Sequence, residues 1–448
     1  MKRVITYGTF DMLHYGHIRL LERAKALGDY LIVGITSDDY DKTRGKINVS
    51  QSLMERIEGV RATGIADQII IEEYPGQKID DIQRLGVDIF TVGSDWKGKF
   101  DYLNEYCQVI YLERTQGISS SEIRTEKSKV RIGLVGDSVY LDKFYRECSF
   151  VNGAEITAIC TNSITNLCKE IQDLPCVTNS LSEILNYVDA VYIVSHPNSH
   201  YEQIKFFLEN KKHILCESPS ALKLKDFEEL KRLAEKNKCI FLDSVKTAFS
   251  TAYSRLLTLV KSGVIGDVIS VDATCTSLHS FNLENQSEIN NTWSSIFAWG
   301  PTALLPVFNI LGTEYTSKKI ITKTLDNYSD FDLFTKIDFV YPKAVASIKV
   351  GKGIKSEGEL IISGTKGYVF VPAPWWKTDY FEIRFENPAD NKRYFYQLDG
   401  EGIRYEIVSF VKQIEMGYSS SYLNFDCSSS IVKIIQDYMG NSNDKLYI

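Results

Sequence analysis

The stretch RVITYGTFDMLHYGHIRLLERAKALG, residues 3–28, decides the fold of the first part of the chain. Its opening RVITY is mostly apolar and β-branched, which is typical of a short buried strand. After residue 17 the apolar side chains recur at helical spacing, and Gly28 ends the pattern. The stretch therefore predicts a strand, a tight turn and a helix. The side chains expected to face the core from this helix are Ile18, Leu21, Ala24 and Leu27.

The same alternation of strand and helix continues to about residue 125. Apolar strand patterns at 29–36, 68–73, 87–93 and 107–113 are separated by helical patterns. Short apolar strands that alternate with helices predict a doubly wound parallel sheet, in which ligands bind at the carboxyl ends of the strands.

The rest of the chain predicts two further domains. A charged segment at 124–129 indicates a linker, and a second βα series follows it. From about Asp267 the pattern becomes strand-rich, which predicts a largely antiparallel sheet. We therefore predict an α/β protein with a doubly wound Rossmann-like domain, a second Rossmann domain and an α+β sheet domain. The predicted boundaries are 1–126, 130–245 and 246–448.

The composition of the 448 residues is that of an ordinary globular protein. The net charge of −7 argues against nucleic acid as a partner, and no apolar run is long enough for membrane insertion. The N-terminus begins directly with strand-forming residues rather than a signal peptide. Nine scattered cysteines without CxxC spacing argue against a disulfide framework or a zinc site. These features predict a cytoplasmic protein.

The turn between the first strand and the first helix has the composition of an anion site. Gly8 and Gly16 carry no Cβ, so phosphate oxygens could approach the backbone closely. A helix N-terminus presents unpaired N–H groups and the positive end of its dipole. His14 and His17 are three residues apart, so both rings can project to one side and stabilise charge on a phosphate in a transition state. The alternative is that both histidines are incidental surface residues.

Two signatures in this domain resemble those of a known family. The stretch GTFDMLHYGH, residues 8–17, resembles the GTFD and HxGH signatures of nucleotidyltransferases of the cytidylyltransferase type. RTQGISSSEIR, residues 114–124, resembles that family's second signature. The resemblance covers residues 1–126 and is nearest to the bacterial glycerol-3-phosphate cytidylyltransferases. It implies transfer of a cytidylyl group from CTP to a small polyol phosphate, with Mg²⁺ as the cofactor and pyrophosphate as the leaving group.

The resemblance also implies roles for single residues. His14 and His17 would bind the triphosphate and stabilise the transition state, and Lys46 in the loop RGKINVS would neutralise the phosphates. Asp95 has an alternative role as a strand cap, and Trp96 has one as a packing residue. The residues implied in nucleotide binding are Gly8, Thr9, Phe10, Asp95, Trp96, Arg114, Thr115, Ile118, Ser119 and Ser120.

One departure from the family concerns the acceptor. The family's arginine downstream of the ER pair falls near Gly64 in this chain, which leaves Arg56 or Arg61 to contact an anionic acceptor. The acceptor therefore stays open among glycerol phosphates and longer polyol phosphates. The residues implied near the acceptor are Asp11, Asp38, Arg56 and Arg61.

Residues 130–448 resemble a second family, the Gfo/Idh/MocA oxidoreductases. The resemblance rests on VDAVYIVSHPNSHYEQIKFFLENKKHILCESP, residues 188–219, and on VKSGVIGDVISVDAT, residues 260–274. It implies a Rossmann domain that binds NAD(P), followed by a sheet used for substrate and dimer contacts.

Several residues that this second family uses are absent. The fingerprint in GLVGDSVYL keeps Gly136 but has Ser138 and Leu141 at its small positions. Thr161 stands where an acidic residue would hold the ribose, and Ser218 replaces the family's lysine. Hydride transfer would therefore lack its acid–base group. Two further positions, which the family fills with aspartate and with histidine or tyrosine, are Ala298 and Thr302.

A degenerate dinucleotide site would keep only some of the residues with which the family binds NAD(P) and substrate. Lys246 could substitute for the lost lysine, but an ordinary exposed lysine is the favoured interpretation. His200 is expected to support a helix start, and Pro219 to lie in a constrained turn that fits a cis peptide bond. The residues of the degenerate site are Gly136, Ser138, Glu217 and Lys246.

Three functions remain open for the whole chain. In the first, a CTP:polyol-phosphate cytidylyltransferase carries a degenerate second half that serves oligomerisation or regulation. In the second, the second half reduces a keto-polyol or sugar phosphate with NAD(P)H before the first half activates the product. In the third, the second half senses a nucleotide or sugar. The resemblances further imply a homo-oligomer that makes CDP-polyols for teichoic acids or capsular polymers.

Overall fold

The computed structural model describes most of the chain and divides it into two compact units, Met1–Ser128 and Lys129–Ile448. The three-domain division expected from the sequence stays a prediction. The described residues are 2–43, 49, 51–74, 76–113, 129–278, 292–326, 328–396, 398–417, 425–440 and 445–448.

The first unit is built on five strands: β1 (Arg3–Gly8), β2 (Tyr30–Thr36), β3 (Gln68–Glu72), β4 (Ile89–Gly93) and β5 (Gln108–Leu112). All of them pair in parallel, in the order β3-β2-β1-β4-β5. Successive side chains of β1 enter different cores, since Val4 packs on one face of the sheet and Ile5 on the other. The sheet is therefore covered on both faces and doubly wound, as predicted.

Four helices of this unit connect the strands: α1 (Tyr15–Lys25), α2 (Asp38–Thr43), α3 (Leu53–Ala62) and α4 (Gln77–Leu85). Helix α1 ends earlier than the sequence pattern suggests, but it buries Leu21 and Ala24 as expected. Helix α3 begins with a capping box, in which Ser52 and Glu55 accept hydrogen bonds from each other's backbone N–H groups. The cap fixes the start of α3 beside the end of β2.

The second unit begins with six strands: β6 (Val130–Val135), β7 (Ala154–Cys160), β8 (Cys176–Thr178), β9 (Ala190–Ile193), β10 (His213–Glu217) and β11 (Phe241–Ser244). They form a parallel sheet in the order β11-β10-β9-β6-β7-β8. The strand order reverses at β6, so a ligand crevice is expected where β6 ends.

A second sheet of this unit has nine strands: β12 (Val268–Thr276), β13 (Ser317–Leu325), β14 (Tyr328–Val340), β15 (Val345–Gly351), β16 (Leu360–Gly364), β17 (Tyr368–Val371), β18 (Tyr380–Arg384), β19 (Lys392–Phe395) and β20 (Lys445–Tyr447). Their order is β19-β18-β17-β16-β12-β15-β14-β13-β20. The β12–β15 and β13–β20 pairs are parallel and the other pairs are antiparallel. The predicted, largely antiparallel sheet is confirmed.

Among its described residues, the second unit has the helices α5 (Tyr140–Cys148), α6 (Lys169–Gln172), α7 (Pro197–Glu209), α8 (Leu224–Asn237), α9 (Thr251–Lys261), α10 (Ser295–Leu311), α11 (Ile403–Met416) and α12 (Phe425–Met439). Helix α10 packs on the nine-stranded sheet. Helix α11 instead returns to the six-stranded sheet, where Ile407 and Phe410 share a core with Leu134. Over the described part of the chain, no helix has the length and apolar character needed to cross a membrane.

Candidate functional site

The turn from β1 to α1 positions two histidines at the start of a helix. His14 is the N-cap residue of α1, and its Nδ1 accepts a hydrogen bond of 3.1 Å from the backbone N–H of Gly16. Because Nδ1 is an acceptor, the proton of neutral His14 lies on Nε2. The ring therefore presents an N–H donor from its far side, next to the positive end of the helix dipole.

The second histidine stacks on the first. The ring centroids of His14 and His17 are 3.9 Å apart with 22° between the planes. The edge of the Phe10 ring packs on His17 at 5.5 Å. Both imidazoles are half-buried, and the structure brings them together as the three-residue spacing predicts. Phe10 itself is only 2% exposed, so its ring supports His17 from the core.

The backbone of this turn is strained. Phe10 and Met12 have φ values of 52° and 49°, a left-handed region in which residues other than glycine are uncommon. Gln51 holds the turn in place, because its side chain accepts a 2.6 Å hydrogen bond from the Met12 N–H and its own N–H donates to Asp11 at 2.9 Å. Such strain persists only where surrounding contacts determine the conformation, and it is commonest at functional sites.

Arg56 in helix α3 ties the strand ends together. Its Nη1 donates to the carbonyl oxygens of Thr9 at 2.7 Å and Thr36 at 2.8 Å, and its Nε donates to that of Gln51 at 3.2 Å. Nη2 pairs with the half-exposed carboxylate of Asp38. Arg56 is 1% exposed. In place of the predicted contact with an acceptor, the structure shows a guanidinium that positions the β1 and β2 ends.

Other residues predicted near the acceptor differ in exposure. Asp11 is buried, whereas the Arg61 side chain is 60% exposed and pairs with Glu58. Asp41 was not predicted, yet its buried carboxylate accepts a 2.9 Å hydrogen bond from the Thr9 hydroxyl and lies 3.8 Å from Arg56. A polar pattern just after the second strand was the signal that could have identified it.

The end of β4 brings a second group of predicted residues to the same sheet edge. Asp95 and Trp96 lie in a short 3₁₀ turn that follows β4 directly. Asp95 is exposed, and the half-buried Trp96 ring lies 5.8 Å from Phe100 and under the ammonium of Lys99. Because β1 and β4 are adjacent parallel strands, this turn and the histidine turn flank the point where the strand order reverses.

Some predicted site residues fall outside the described part of the chain. They are Lys46, Arg114, Thr115, Ile118, Ser119 and Ser120. Their proposed roles stay predictions.

The first loop of the second unit keeps one feature of a dinucleotide site. Gly136 follows β6 with φ of 135°, and a Cβ there would lie 2.9 Å from the backbone of Ser195, so only glycine fits. The Ser138 hydroxyl accepts a hydrogen bond from the Tyr140 N–H at 3.2 Å, and Leu141 is fully buried in the core. A side chain thus fills the position where the fingerprint needs a small residue.

A carboxylate of the same loop reaches the end of β7. Asp137 accepts hydrogen bonds from the Thr161 hydroxyl at 2.8 Å and the Asn162 N–H at 2.6 Å. These groups lie at the end of the second strand of the sheet, where a dinucleotide's ribose would be held. The loop therefore departs from the usual fingerprint at Leu141, and it brings its carboxylate to the ribose position from Asp137 rather than from β7.

Two acidic residues interact near the end of β10: half-buried Glu217, the last residue of that strand, and buried Glu406 on α11. Glu217 accepts hydrogen bonds from the hydroxyls of Tyr192 and Ser244. Burial raises the pKa of Glu217, and burial together with the Glu217 charge raises the pKa of Glu406. Lys246 lies beside them, with burial lowering its pKa. The favoured interpretation of Lys246 as an ordinary exposed lysine is wrong, because its side chain is only 22% exposed and faces Glu401.

His200 supports the start of α7, as expected. Its Nδ1 and Nε2 lie 2.8 Å from the carbonyl oxygens of Pro219 and Ser195, and burial lowers its pKa to about 4. The Ser218–Pro219 peptide bond is cis, in agreement with the sequence-based expectation.

Comparisons with known proteins agree with this division of the chain. Residues 5–126 match the family described as Cytidylyltransferase-like, and residues 130–244 match the family described as Oxidoreductase family, NAD-binding Rossmann fold.

The first unit has close relatives along its whole length. The glycerol-3-phosphate cytidylyltransferase of Bacillus spizizenii is 49% identical over 130 residues, which cover 29% of this chain and 100% of that protein. The glycerol-3-phosphate cytidylyltransferase of Staphylococcus aureus is 47% identical over 128 residues, which cover 28% of this chain and 95% of that protein.

The second unit shares its fold with solved oxidoreductases. A 3-ketoreductase of Actinomadura kijaniata, solved in complex with NADP and TDP-benzene, superimposes with a TM-score of 0.62 at 14% identity, over 72% of this chain and 100% of that one. At that identity the likeness concerns the fold alone. The chain therefore belongs to the cytidylyltransferase-like family of nucleotidyltransferases, and it joins that enzyme domain to one of the NAD-binding Rossmann oxidoreductase family.

Proposed function

We propose that the first unit transfers a cytidylyl group from CTP to the phosphate of glycerol 3-phosphate or a closely similar polyol phosphate. The observation that carries the proposal is the stacked pair of His14 and His17 at the start of α1. Support comes from glycerol-3-phosphate cytidylyltransferases that align with this unit over 95% or more of their length.

The reaction is an in-line displacement at phosphorus. A phosphate oxygen of the acceptor attacks the α-phosphorus of CTP, a new P–O bond forms, and the bond to the β-phosphate oxygen breaks with its electron pair leaving on pyrophosphate. Such transfers depend mainly on positioning and on neutralising charge.

The two histidines supply part of that neutralisation. The Nε2–H of His14 donates to the triphosphate, and the Nδ1 contact with Gly16 keeps the proton on that side. His17, held between His14 and Phe10, donates to the same phosphates as negative charge grows on them. The N–H groups at the start of α1 add to the positive potential.

The other predicted residues of this unit have roles that depend on which strand end they follow. Gly8 and Thr9 border the phosphates, Asp95 and Trp96 hold the ribose and cytosine, and Arg61 with Asp38 borders the acceptor. We assign Arg56, Asp11 and Phe10 to positioning, because they are buried. Lys46 and the second signature complete the phosphate contacts. Those signature residues are Arg114, Thr115, Ile118, Ser119 and Ser120.

We propose that Mg²⁺ binds to this unit together with the nucleotide. Among the described residues, no group of three or more histidine, cysteine or carboxylate side chains could hold a metal ion. Mg²⁺ is usually bound by substrate phosphates with one or two carboxylates. We propose MgCTP as the nucleotide substrate, with the half-exposed carboxylate of Asp38 as its protein contact.

For the second unit we propose a degenerate oxidoreductase domain without standard hydride transfer. Support comes from the Asp137 carboxylate at the end of β7, the buried Leu141 and the serine at position 218. The domain would serve assembly or regulation. The cytoplasmic location agrees with nine free cysteines, and the homo-oligomer and the cell-surface polymer pathway stay predictions.

The test is a substrate panel with the purified full chain. Pyrophosphate release is measured with each of CTP, UTP, ATP and GTP, against glycerol 3-phosphate, glycerol 2-phosphate and five-carbon polyol phosphates. The proposal expects release only with CTP and a three-carbon or similar acceptor. Equal release with ATP, or release that needs no acceptor, would contradict it.

A further inference from the structure

One carboxyl in the core of the second unit has no charged partner. Asp243 belongs to β11 and is 5% exposed. Within the part of the chain that the structure describes, neither of its carboxyl oxygens takes part in a hydrogen bond of normal geometry or in an ion pair. A buried carboxylate is costly unless it is paired or binds a metal ion, so this arrangement indicates a missing partner.

The polar groups nearest to Asp243 come from two other segments. Ser220 lies in the loop after β10 and is 0% exposed, and Ser428 lies in helix α12 and is 5% exposed. The Ser220 hydroxyl likewise has no hydrogen-bond partner among the described residues. Burial raises the pKa of Asp243, and the two hydroxyls with the Ser220 N–H lie close enough to oppose that increase. Oxygen atoms of three side chains are therefore gathered in one buried place.

Two cysteines also lie near this carboxyl, but they add no charge to it. Cys216 is opposite Asp243 in the register of β10 and β11, and Cys427 precedes Ser428 in α12. Burial, together with the charge of Asp243, raises the pKa of Cys216 well above its usual value and that of Cys427 to about 12. Neither residue therefore supplies the thiolate that a soft metal ion needs.

This place is on the opposite face of the six-stranded sheet from Glu217. Side chains of a strand alternate between the two faces, so neighbouring Cys216 and Glu217 point to opposite sides of β10. Cys216 shares a core with helices α7 and α8, whereas Glu217 accepts its hydrogen bond from Tyr192 on the other face. The surroundings of Asp243 are therefore distinct from the group that contains Glu217 and Lys246.

The helix that carries Ser428 connects the two sheets of the second unit. Ile431 and Ile435 of α12 belong to the core of the nine-stranded sheet, and Val432 belongs to a core of the six-stranded sheet. A partner held between Asp243 and Ser428 would tie α12 to β11. Its binding should therefore stabilise the whole unit.

We propose that Asp243, Ser220 and Ser428 bind one monovalent alkali cation. A singly charged cation neutralises the single carboxylate of the site, whereas a divalent ion would leave a positive charge buried without a partner. Carboxylate and hydroxyl oxygens are the ligands that hard cations prefer. The cation keeps Asp243 ionised and supplies the charge that the described residues around it lack.

The test is thermal unfolding of the full chain without nucleotide, at constant chloride concentration, with choline chloride replaced by KCl or by NaCl. A ligand that binds only the folded chain stabilises it, so at least one of the two salts should raise the midpoint by about 2 °C or more. Asp243→Asn removes the charge but keeps the shape, and it should abolish this increase. Ser220→Ala and Ser428→Ala each remove one oxygen ligand and should reduce it.

A matched control separates this site from general effects of salt. Asp173→Asn removes an exposed carboxylate at the end of α6 in the same unit, and it should leave the increase unchanged. If Asp243→Asn fails to fold, the two serine variants decide the test. Equal midpoints in all three salts would overturn the proposal and leave a proton or a buried water as the partner of Asp243. An increase of native size in Asp243→Asn, or in both serine variants, would also overturn it.

Discussion

The imidazole rings of His14 and His17 lie face to face, with their centroids 3.9 Å apart, at the N-terminus of α1. The His14 ring also caps the helix, so one side chain both begins the helix and presents a donor to a ligand. The cap and the donor can be separated by mutation, because other residues cap helices without an imidazole.

Replacement of His14 by asparagine should separate its two roles. Asparagine is a good N-cap residue, so His14→Asn should keep stability close to native, whereas His14→Ala should cost about 1 kcal/mol. Both variants should lose at least about a hundredfold in pyrophosphate release, as for a removed transition-state donor. Arg19→Gln, on the exposed face of α1, is the control. Near-native activity of His14→Asn would show that only the cap matters.

Replacement of Arg56 should lower the free energy of unfolding and disturb the strand ends that it holds, rather than weaken binding of the acceptor. Arg56→Met removes the donors to Thr9 and Thr36 and leaves buried Asp41 without its partner at 3.8 Å. We expect a loss of about 3–5 kcal/mol in the free energy of unfolding, measured by urea denaturation. Arg61→Met, which breaks an exposed pair, should change it by less than about 1 kcal/mol. A raised KM for the acceptor with unchanged stability would restore Arg56 as an acceptor contact.

The second unit should bind nicotinamide dinucleotides weakly. The Asp137 carboxylate repels the pyrophosphate, so titration with NADPH, followed by its fluorescence, should give a Kd above about 1 mM. Asp137→Asn should tighten binding by up to about tenfold, since it removes one like charge near the ligand. Tight binding with turnover in the native chain would favour the bifunctional hypothesis. Tight binding without turnover would favour a sensor.

Buried His200 should make the second unit less stable in acid. Its pKa is about 4 in the folded chain against 6.5 for the free side chain, so the unfolded state binds more protons between these values. The contribution to stability is complete above pH 6.5 and is lost as the pH falls toward 4, by at most about 3 kcal/mol.

The measurement is the free energy of unfolding at pH 7 and pH 4.5. His200→Gln cannot titrate, so it should lose less stability than the native chain over this interval. The carboxyls of Glu217 and Glu406 have raised pKa values, so their effect on the pH dependence of stability is opposite to that of His200. They are present in both proteins, and their effect cancels in the comparison. Equal losses of stability in the native chain and in His200→Gln would contradict the lowered pKa of His200.

The sheets and the place of the site could be predicted from the sequence because they depend on local periodicity. The apolar run before Gly8 and the helical spacing after His17 determine where β1 ends and α1 begins. Strand ends in a parallel sheet then converge on one edge, which brings the β4 turn beside the histidines.

What could not be predicted depends on contacts between distant residues. Arg56 looked available for a ligand, but its environment is set by carbonyl oxygens of two other strand ends. Lys246 looked exposed because Glu401, 155 residues away in sequence, could not be placed beside it.

The most direct test of the central claim is phosphorus NMR of the full chain incubated with CTP, Mg²⁺ and glycerol 3-phosphate, with His17→Ala run beside it. The account predicts that a diphosphate diester and free pyrophosphate appear together in equal amounts, and that the variant forms both at least about a hundred times more slowly. Free CMP and pyrophosphate without the diester, or a variant as fast as the native chain, would contradict it.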